Sequence, residues 1–350
     1  MALLKACDTI TEVYRFLTEE YGKTVDKDLL RYKFDNKYTG VSYSKFKEET
    51  DAFAFGLTSL GIKREDKVAI MSENRPEWVY TDMAALVLGA IDIPLYPSIT
   101  AASVEFILNN SESKCIVVSN KFQLNKVLKV RKNCKYLDFI IVINENDFDP
   151  SVKSLHSFKQ VQEIGTEYKS KKPDLLRDSM SVVKENDVCT IIYTSGTTGI
   201  PKGVVLTHKN IMSNVTSALE AFPINKDDVF LSFLPLCHIF ERMAGYYTAF
   251  TSGATVCYAE SIEKISTNLG EINPTIMTSV PRLFERIYSR IIRNVESQSE
   301  KKQKIFYWAM ETGRQYANAK REGKIPIALS IKHKVADKLV FKKLKERFGG

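Results

Sequence analysis

The sequence predicts an α/β protein built from two doubly wound, mostly parallel sheets with flanking helices, and three observations lead there. From Tyr38 onward, short apolar runs alternate with segments of helical period, the pattern of strands joined by crossover helices. The chain has 350 residues, room for two domains at roughly 150 residues each. Its composition is 44% hydrophobic and 26% charged with 16 Gly and 11 Pro, which suits a folded globular protein and excludes collagenous and low-complexity classes.

In chain order, TGVSYSKF reads as a strand running into a helix, Ser44 to Leu60, that Gly61 closes as a left-handed residue. KVAIMS is the next strand. Asn74 is placed to cap a helix opened by Arg75 and Pro76, because proline's missing N–H costs nothing in a first turn. IDIPLYP, KCIVVS and FIIVIN follow as strands, separated by the helices AASVEFILNN and FQLNKVLKV. Residues Asn144 to Asn186 are polar and rich in lysine, and are expected to form a surface connection with room for one helix. That stretch sets the expected domain boundary: residues 1–186 as a first α/β subdomain, 187–350 as a second. In the second half DVCTIIYT, DVFLSF, ATVCYA and TIMTSV read as strands, with helices at about His208 to Phe222, Ile239 to Thr251, Ile262 to Leu269 and Arg282 to Val295. Glu300 to Arg347 reads as a basic helical end.

The net charge of +8 is unevenly spread: Arg282 to Gly350 holds 18 Lys and Arg against 7 Asp and Glu, leaving residues 1–281 at −3. Such a basic end suits the solvated face of helices or an anionic membrane surface. Phe306, Tyr307 and Trp308 interleave with its lysines, but no nucleic-acid-binding motif accompanies them, so no nucleic-acid partner is expected. The six cysteines stand at least 19 residues apart, which excludes CxxC metal or redox motifs and points to packed thiols in a reducing compartment. The longest apolar run, Met83 to Ile91, is far short of a membrane span, and the amino terminus shows no signal-peptide core. The expectation is a cytoplasmic protein whose membrane contact, where it occurs, is peripheral at the inner face. Its oligomeric state stays open.

The most informative stretch is YTSGTTGIPKGVVLTH, Tyr193 to His208. Seven of the eleven residues from Tyr193 to Gly203 are Ser, Thr or Gly, yet they sit between apolar flanks instead of in a linker. Glycines let backbone N–H groups converge on an anion, the hydroxyls of Thr194, Ser195, Thr197 and Thr198 add donors, and Lys202 adds a point charge. The pattern suits phosphate. It is not a P-loop, because Lys202 follows Pro201, precedes Gly203 and leads into a strand instead of a helix. No GxGxxG occurs, which removes the case for a nicotinamide enzyme.

These residues resemble the signature loop of the adenylate-forming enzymes, the family of acyl-CoA synthetases, firefly-type luciferases and nonribosomal peptide adenylation domains. LPLCHIFER (Leu234 to Arg242), SVPRLFERIY (Ser279 to Tyr288), SENRPEW (Ser72 to Trp78) and the closing KHKVADKLVFKKLKERFGG look like the versions found in long-chain fatty acyl-CoA synthetases. The resemblance implies ATP-dependent activation of a fatty acid to an acyl-adenylate and its transfer to coenzyme A. The alternatives are an adenylating enzyme for another carboxylate, or a nucleotide- or lipid-binding fragment without catalysis.

Carried over residue by residue, Thr194, Ser195, Gly196, Thr197, Thr198 and Gly199 would wrap the ATP phosphates, with Thr194 near Mg²⁺. Lys202 would neutralise charge, and His238 would face the carboxylate and adenylate. Phe240, Met243 and Tyr246, within reach of one helical face, are candidates to line an acyl tunnel, and Arg242 and Glu241 are candidates to pair locally. The family's adenine-stacking aromatic, metal-binding glutamate, ribose-binding aspartate and carboxy-terminal lysine have no match here. The resemblance therefore implies the amino-terminal portion of such an enzyme, without the small carboxy-terminal domain and without thioester formation on its own.

Overall fold

The computed structural model describes residues 7–195 and 201–346, apart from the side chain of Ser195. The chain divides into two compact units, Met1–Ala259 and Glu260–Gly350, whereas the expected division lay between residues 186 and 187. The difference arises because strands on both sides of residue 186 share one sheet.

The strands are β1 (Asp28–Phe34), β2 (Lys37–Ser42), β3 (Lys67–Met71), β4 (Ile91–Pro94), β5 (Ser113–Val118), β6 (Phe139–Val142), β7 (Leu155–Ser157), β8 (Val188–Ser195), β9 (Pro201–Thr207), β10 (Val229–Ser232) and β11 (Thr255–Tyr258). A seven-stranded sheet runs β7-β6-β5-β3-β4-β8-β9, and a four-stranded sheet runs β10-β11-β1-β2. All pairs are parallel except the hairpins β8–β9 and β1–β2. This is the predicted α/β class, two mixed and mostly parallel sheets with flanking helices.

The inner strands β3 to β6 of the larger sheet are buried on both faces, which is why they read as continuous apolar runs and not as alternating ones. On one face Ala69, Met71, Ile93, Ile116, Val118 and Ile140 meet Val104, Leu108, Leu124 and Val127 from the helices Ala101–Asn110 and Lys121–Val130. The helix Tyr43–Ser59 begins at Ser42, whose hydroxyl accepts from the Lys45 N–H, and Gly61 follows it at φ +100° as expected.

Three expectations fail. Residues 144–186 are no simple surface connection. They hold β7, which extends the sheet edge, and the helices Phe158–Lys171 and Leu175–Ser181. The first of these packs on Tyr43–Ser59 through stacked rings of Phe53 and Phe158, 4.1 Å apart, with the Gly165 backbone against the Ala52 carbonyl. Its charged outer face hides a narrow buried stripe of Phe158, Val161 and Gly165. TIMTSV is not a strand: from Thr275 to Val280 only Ile276 makes a bridge, and an apolar run becomes a strand only where a neighbour pairs along its length. Asn74 does not cap the helix Pro76–Val87, whose N-cap residue is Arg75 and whose first turn has no side-chain capping hydrogen bond.

The second unit is helical, with Pro281–Glu296, Glu300–Arg321 and Ile327–Ala336 followed by a π-helical turn, Asp337–Phe341, and the short helix Lys342–Glu346. Phe306, Ala309, Ala336 and Val340 form its small core, with Leu344 packed against it. Val335 and Leu339 are exposed. Among the described residues no helix is long and apolar enough to cross a membrane.

Candidate active site

In parallel α/β sheets, ligands bind beyond the carboxyl ends of the strands. A cleft of about 520 Å³ opens at that end of β4 and β8. One wall is Leu95, Tyr96 and Ile99 with Ser103 and Ile107 of the next helix; the other is Ile192 to Thr194, Pro201, His238 and Ile239.

Thr194 and Lys202 face one another across the β8–β9 hairpin, a directly opposed antiparallel pair whose side chains leave from the same face. Both are exposed. Lys202 makes no side-chain hydrogen bond or ion pair among the described residues, so its charge is unspent. The neighbouring pair, Tyr193 and Gly203, anchors the hairpin. A Cβ on Gly203 would crowd Ile191 Cγ2 at 2.7 Å and the Tyr193 ring at 3.2 Å. The Tyr193 hydroxyl donates to Asn110 Oδ1 at 2.6 Å, tying the hairpin to the helix Ala101–Asn110. Gly203 therefore serves packing. Gly196, Thr197, Thr198 and Gly199 lie outside the described residues, as does the Ser195 side chain.

His238 reaches the cleft from the segment after β10 and is exposed, with its ring edge-on to Tyr96 at 6.4 Å between centroids. The Phe240 N–H donates to its Nδ1 at 3.2 Å. A nitrogen that accepts holds no proton, so the neutral ring carries its proton on Nε2. Burial pushes the Tyr96 hydroxyl up to about 12, keeping it a neutral donor beside the imidazole.

Of the residues proposed for an acyl tunnel, Phe240 is 40% exposed and Met243 half-buried, while Tyr246 is fully buried and packed against Trp78, Tyr247 and Phe250. None of the three lines the cleft that holds Thr194 and His238.

Beneath the cleft lies a charge cluster that the sequence reading missed. Arg242 does not pair with Glu241. Its guanidinium contacts Asp82, sits 2.8 Å from Asp92 Oδ1, and donates to Thr190 Oγ1 and the Tyr247 hydroxyl at 2.9 Å each. Asp82, Asp92 and Arg242 are all fully buried. Burial pushes both carboxyls up, Asp92 to about 7, against the pull of the guanidinium. A proton held by Asp92 leaves one carboxylate facing one guanidinium, and the cluster is then neutral. Glu241, one residue earlier, is buried with no ion pair among the described residues, and burial pushes it up to about 8. The spacing in Glu241-Arg242 suggested a pair; only the fold brings Asp82 and Asp92 to the arginine from 150 or more residues away.

The AMP-binding enzyme family matches residues 17–347. The chain belongs to that family. Among relatives, a long-chain-fatty-acid–CoA ligase of Mycobacterium tuberculosis is 31% identical over 329 residues, 93% of this chain and 53% of the relative. The peroxisomal long chain acyl-CoA synthetase 7 of Arabidopsis thaliana is 33% identical over 317 residues, 90% of this chain and 43% of the relative. The adenylation domain of a carboxylate reductase from Mycobacterium chelonae superposes with a TM-score of 0.69 at 19% identity, covering 98% of this chain and 52% of that structure, and so shares the fold. This family member spans about half the length of the curated relatives it matches.

Proposed function

We propose that this chain forms the ATP- and carboxylate-binding portion of a long-chain fatty acid–CoA ligase. The observation that supports the reading is that Thr194 and His238 line one strand-end cleft, with Lys202 opposite Thr194 across the hairpin and unpaired among the described residues. In the reaction a fatty acid carboxylate oxygen attacks the α-phosphorus of ATP, the bond to pyrophosphate breaks, and an acyl-adenylate forms. The sulfur of coenzyme A then attacks the acyl carbonyl and AMP departs.

Charge gathers on the leaving pyrophosphate and on the phosphoryl oxygens, so positioned donors contribute more than covalent help. Lys202 meets that charge as a point cation, while the Thr194 hydroxyl and the loop Ser195 to Gly199 hold the phosphates. His238 donates from Nε2 to an oxygen of the carboxylate or adenylate. Phe240 and Met243, backed by Tyr246, are proposed for the acyl side.

Among the described residues no cluster of His, Cys, Asp or Glu suits a metal, and no carboxylate lines the cleft. These residues do not make a cation site by themselves. Mg²⁺ would arrive as a companion of ATP, with Thr194 the residue proposed to stand near it, and would supply charge screening of the phosphates.

Fatty-acid-dependent exchange of labelled pyrophosphate into ATP, measured on the full-length protein, tests the reading. Exchange that responds only to amino acids or aryl acids overturns it. Lys202→Ala and Thr194→Ala are expected to slow exchange roughly tenfold to thousandfold, the range for losing one preorganised charge-stabilising group. Residues 1–350 alone are expected to give no palmitoyl-CoA by mass spectrometry, since nothing in them matches the family's adenine and lysine elements.

We also propose a cytoplasmic setting with peripheral contact to anionic membrane, supported by exposed Val335 and Leu339 beside exposed Lys332, Lys334, Lys338 and Lys342. Sedimentation with anionic vesicles should show binding at low salt that high salt removes; binding that salt leaves unchanged contradicts the electrostatic contact.

A further inference from the structure

We propose that Asn74 is a positioning residue for His238, a role that rests on the ligase reading of the cleft. Asn74 follows β3, and its amide is not used by the helix it precedes. It spans the gap to the other sheet instead. Its Nδ2 donates to the Leu234 carbonyl at 2.7 Å and to Ser232 Oγ at 3.3 Å, and its Oδ1 accepts from the Leu236 N–H at 2.9 Å. The amide orientation follows from the partners, because a backbone N–H only donates and a carbonyl only accepts.

One side chain thus grips the chain from the last residue of β10 to a point two residues before His238. Beyond the grip, the His238 N–H donates to the Pro235 carbonyl at 2.9 Å, and the His238 carbonyl accepts from the Arg242 N–H at 3.1 Å. The histidine backbone is therefore suspended between Asn74 and the buried Arg242. With that backbone held, the Phe240 N–H meets Nδ1, which leaves Nε2 as the nitrogen that carries the proton of the neutral ring. Asn74 touches no reacting atom; it acts through the tautomer and the place of the imidazole.

Without the grip, Leu234 to Leu236 regain freedom, and a displacement of about 1 Å at a reacting group costs on the order of a hundredfold in rate. The test uses the full-length protein with labelled histidine, whose four imidazoles in this chain (His156, His208, His238 and His333) are few enough to assign by nitrogen NMR. Asn74→Ala is expected to lower kcat for fatty-acid-dependent pyrophosphate exchange roughly tenfold to hundredfold with KM for ATP within about twofold. The His238 signals should pass from the Nε2–H tautomer to a mixture while the other three stay in place. Asn74→Asp keeps the bond from Leu236 N–H and loses both donations, so it should fall between wild type and Asn74→Ala, and it serves as the test should the alanine variant not fold. An unchanged His238 tautomer, an unchanged kcat, or a uniform shift of all four imidazoles overturns the proposal. A wild-type protein that shows no exchange with any fatty acid removes the ligase reading, and the tautomer measurement still decides whether Asn74 sets the imidazole.

Discussion

The rim of the cleft and its floor treat charge in opposite ways. On the rim, Lys202 and His238 are exposed and Lys202 is unpaired among the described residues; on the floor, Arg242, Asp82 and Asp92 are wholly buried and bound to one another. Arg242 lies four positions after His238, and one backbone hydrogen bond joins them. A single motif therefore supplies both an exposed imidazole and a buried, fully engaged guanidinium. The rim is expected to govern rate and the floor stability.

Removing the guanidinium is the harshest way to probe that division. Arg242→Ala strands Asp82 and Asp92 without a counter-charge and should cost about 3–5 kcal/mol in urea denaturation. An Arg242→Ala protein as stable as wild type would show the cluster to be incidental.

Next in size is a pH effect at the floor. Burial raises Glu241 from 4.5 to about 8, so between those values the folded state holds a proton that the unfolded state has released. Stability should then fall as pH rises through this window, by roughly 1.4 kcal/mol per pH unit for one such proton, and level off above about pH 8. Glu241→Gln keeps a neutral side chain throughout and should flatten that slope in denaturation curves recorded from pH 5 to 8; an unaltered slope assigns the proton to another group, with Asp92 at about 7 the first to examine.

The smallest expected change in stability comes from the rim. Lys202→Ala and His238→Ala should stay within about 0.5 kcal/mol of wild type by denaturation, the usual range for exposed positions away from packed features, although adenylation falls. A destabilisation comparable to that of Arg242→Ala would erase the distinction between rim and floor.

How much of this was legible in the sequence follows the same line. The hairpin bearing Thr194 and Lys202, and the strands flanking it, could be read because glycines and hydroxyls between apolar runs are a local signal. Asn74, Arg242 and the helix Phe158–Lys171 were misread because each takes its partner from a distant part of the chain. Asn74 carried the residue type of a helix cap, but Leu234 and Leu236, its actual partners, lie 160 and 162 residues away. The helix 158–171 hid its role in a glycine, since Gly165 marks a close approach to Ala52 that no hydrophobic period announces. Gly203 was read with the phosphate glycines; its neighbours give it the task of admitting the Tyr193 ring.

The strand order also sets a timetable. The seven-stranded sheet takes its strands from residues 67 to 207, whereas β1, with Leu30 opposite Val256, pairs in parallel with β11. At a synthesis rate of about 5–20 residues per second, β1 leaves the ribosome on the order of ten to forty seconds before β11 exists. Through that interval the hairpin of β1 and β2 has no second neighbour, and an isolated hairpin is marginal in water. The amino-terminal strands are thus among the earliest made and among the last to be secured, and the nascent chain carries an open strand edge until residue 258 has emerged.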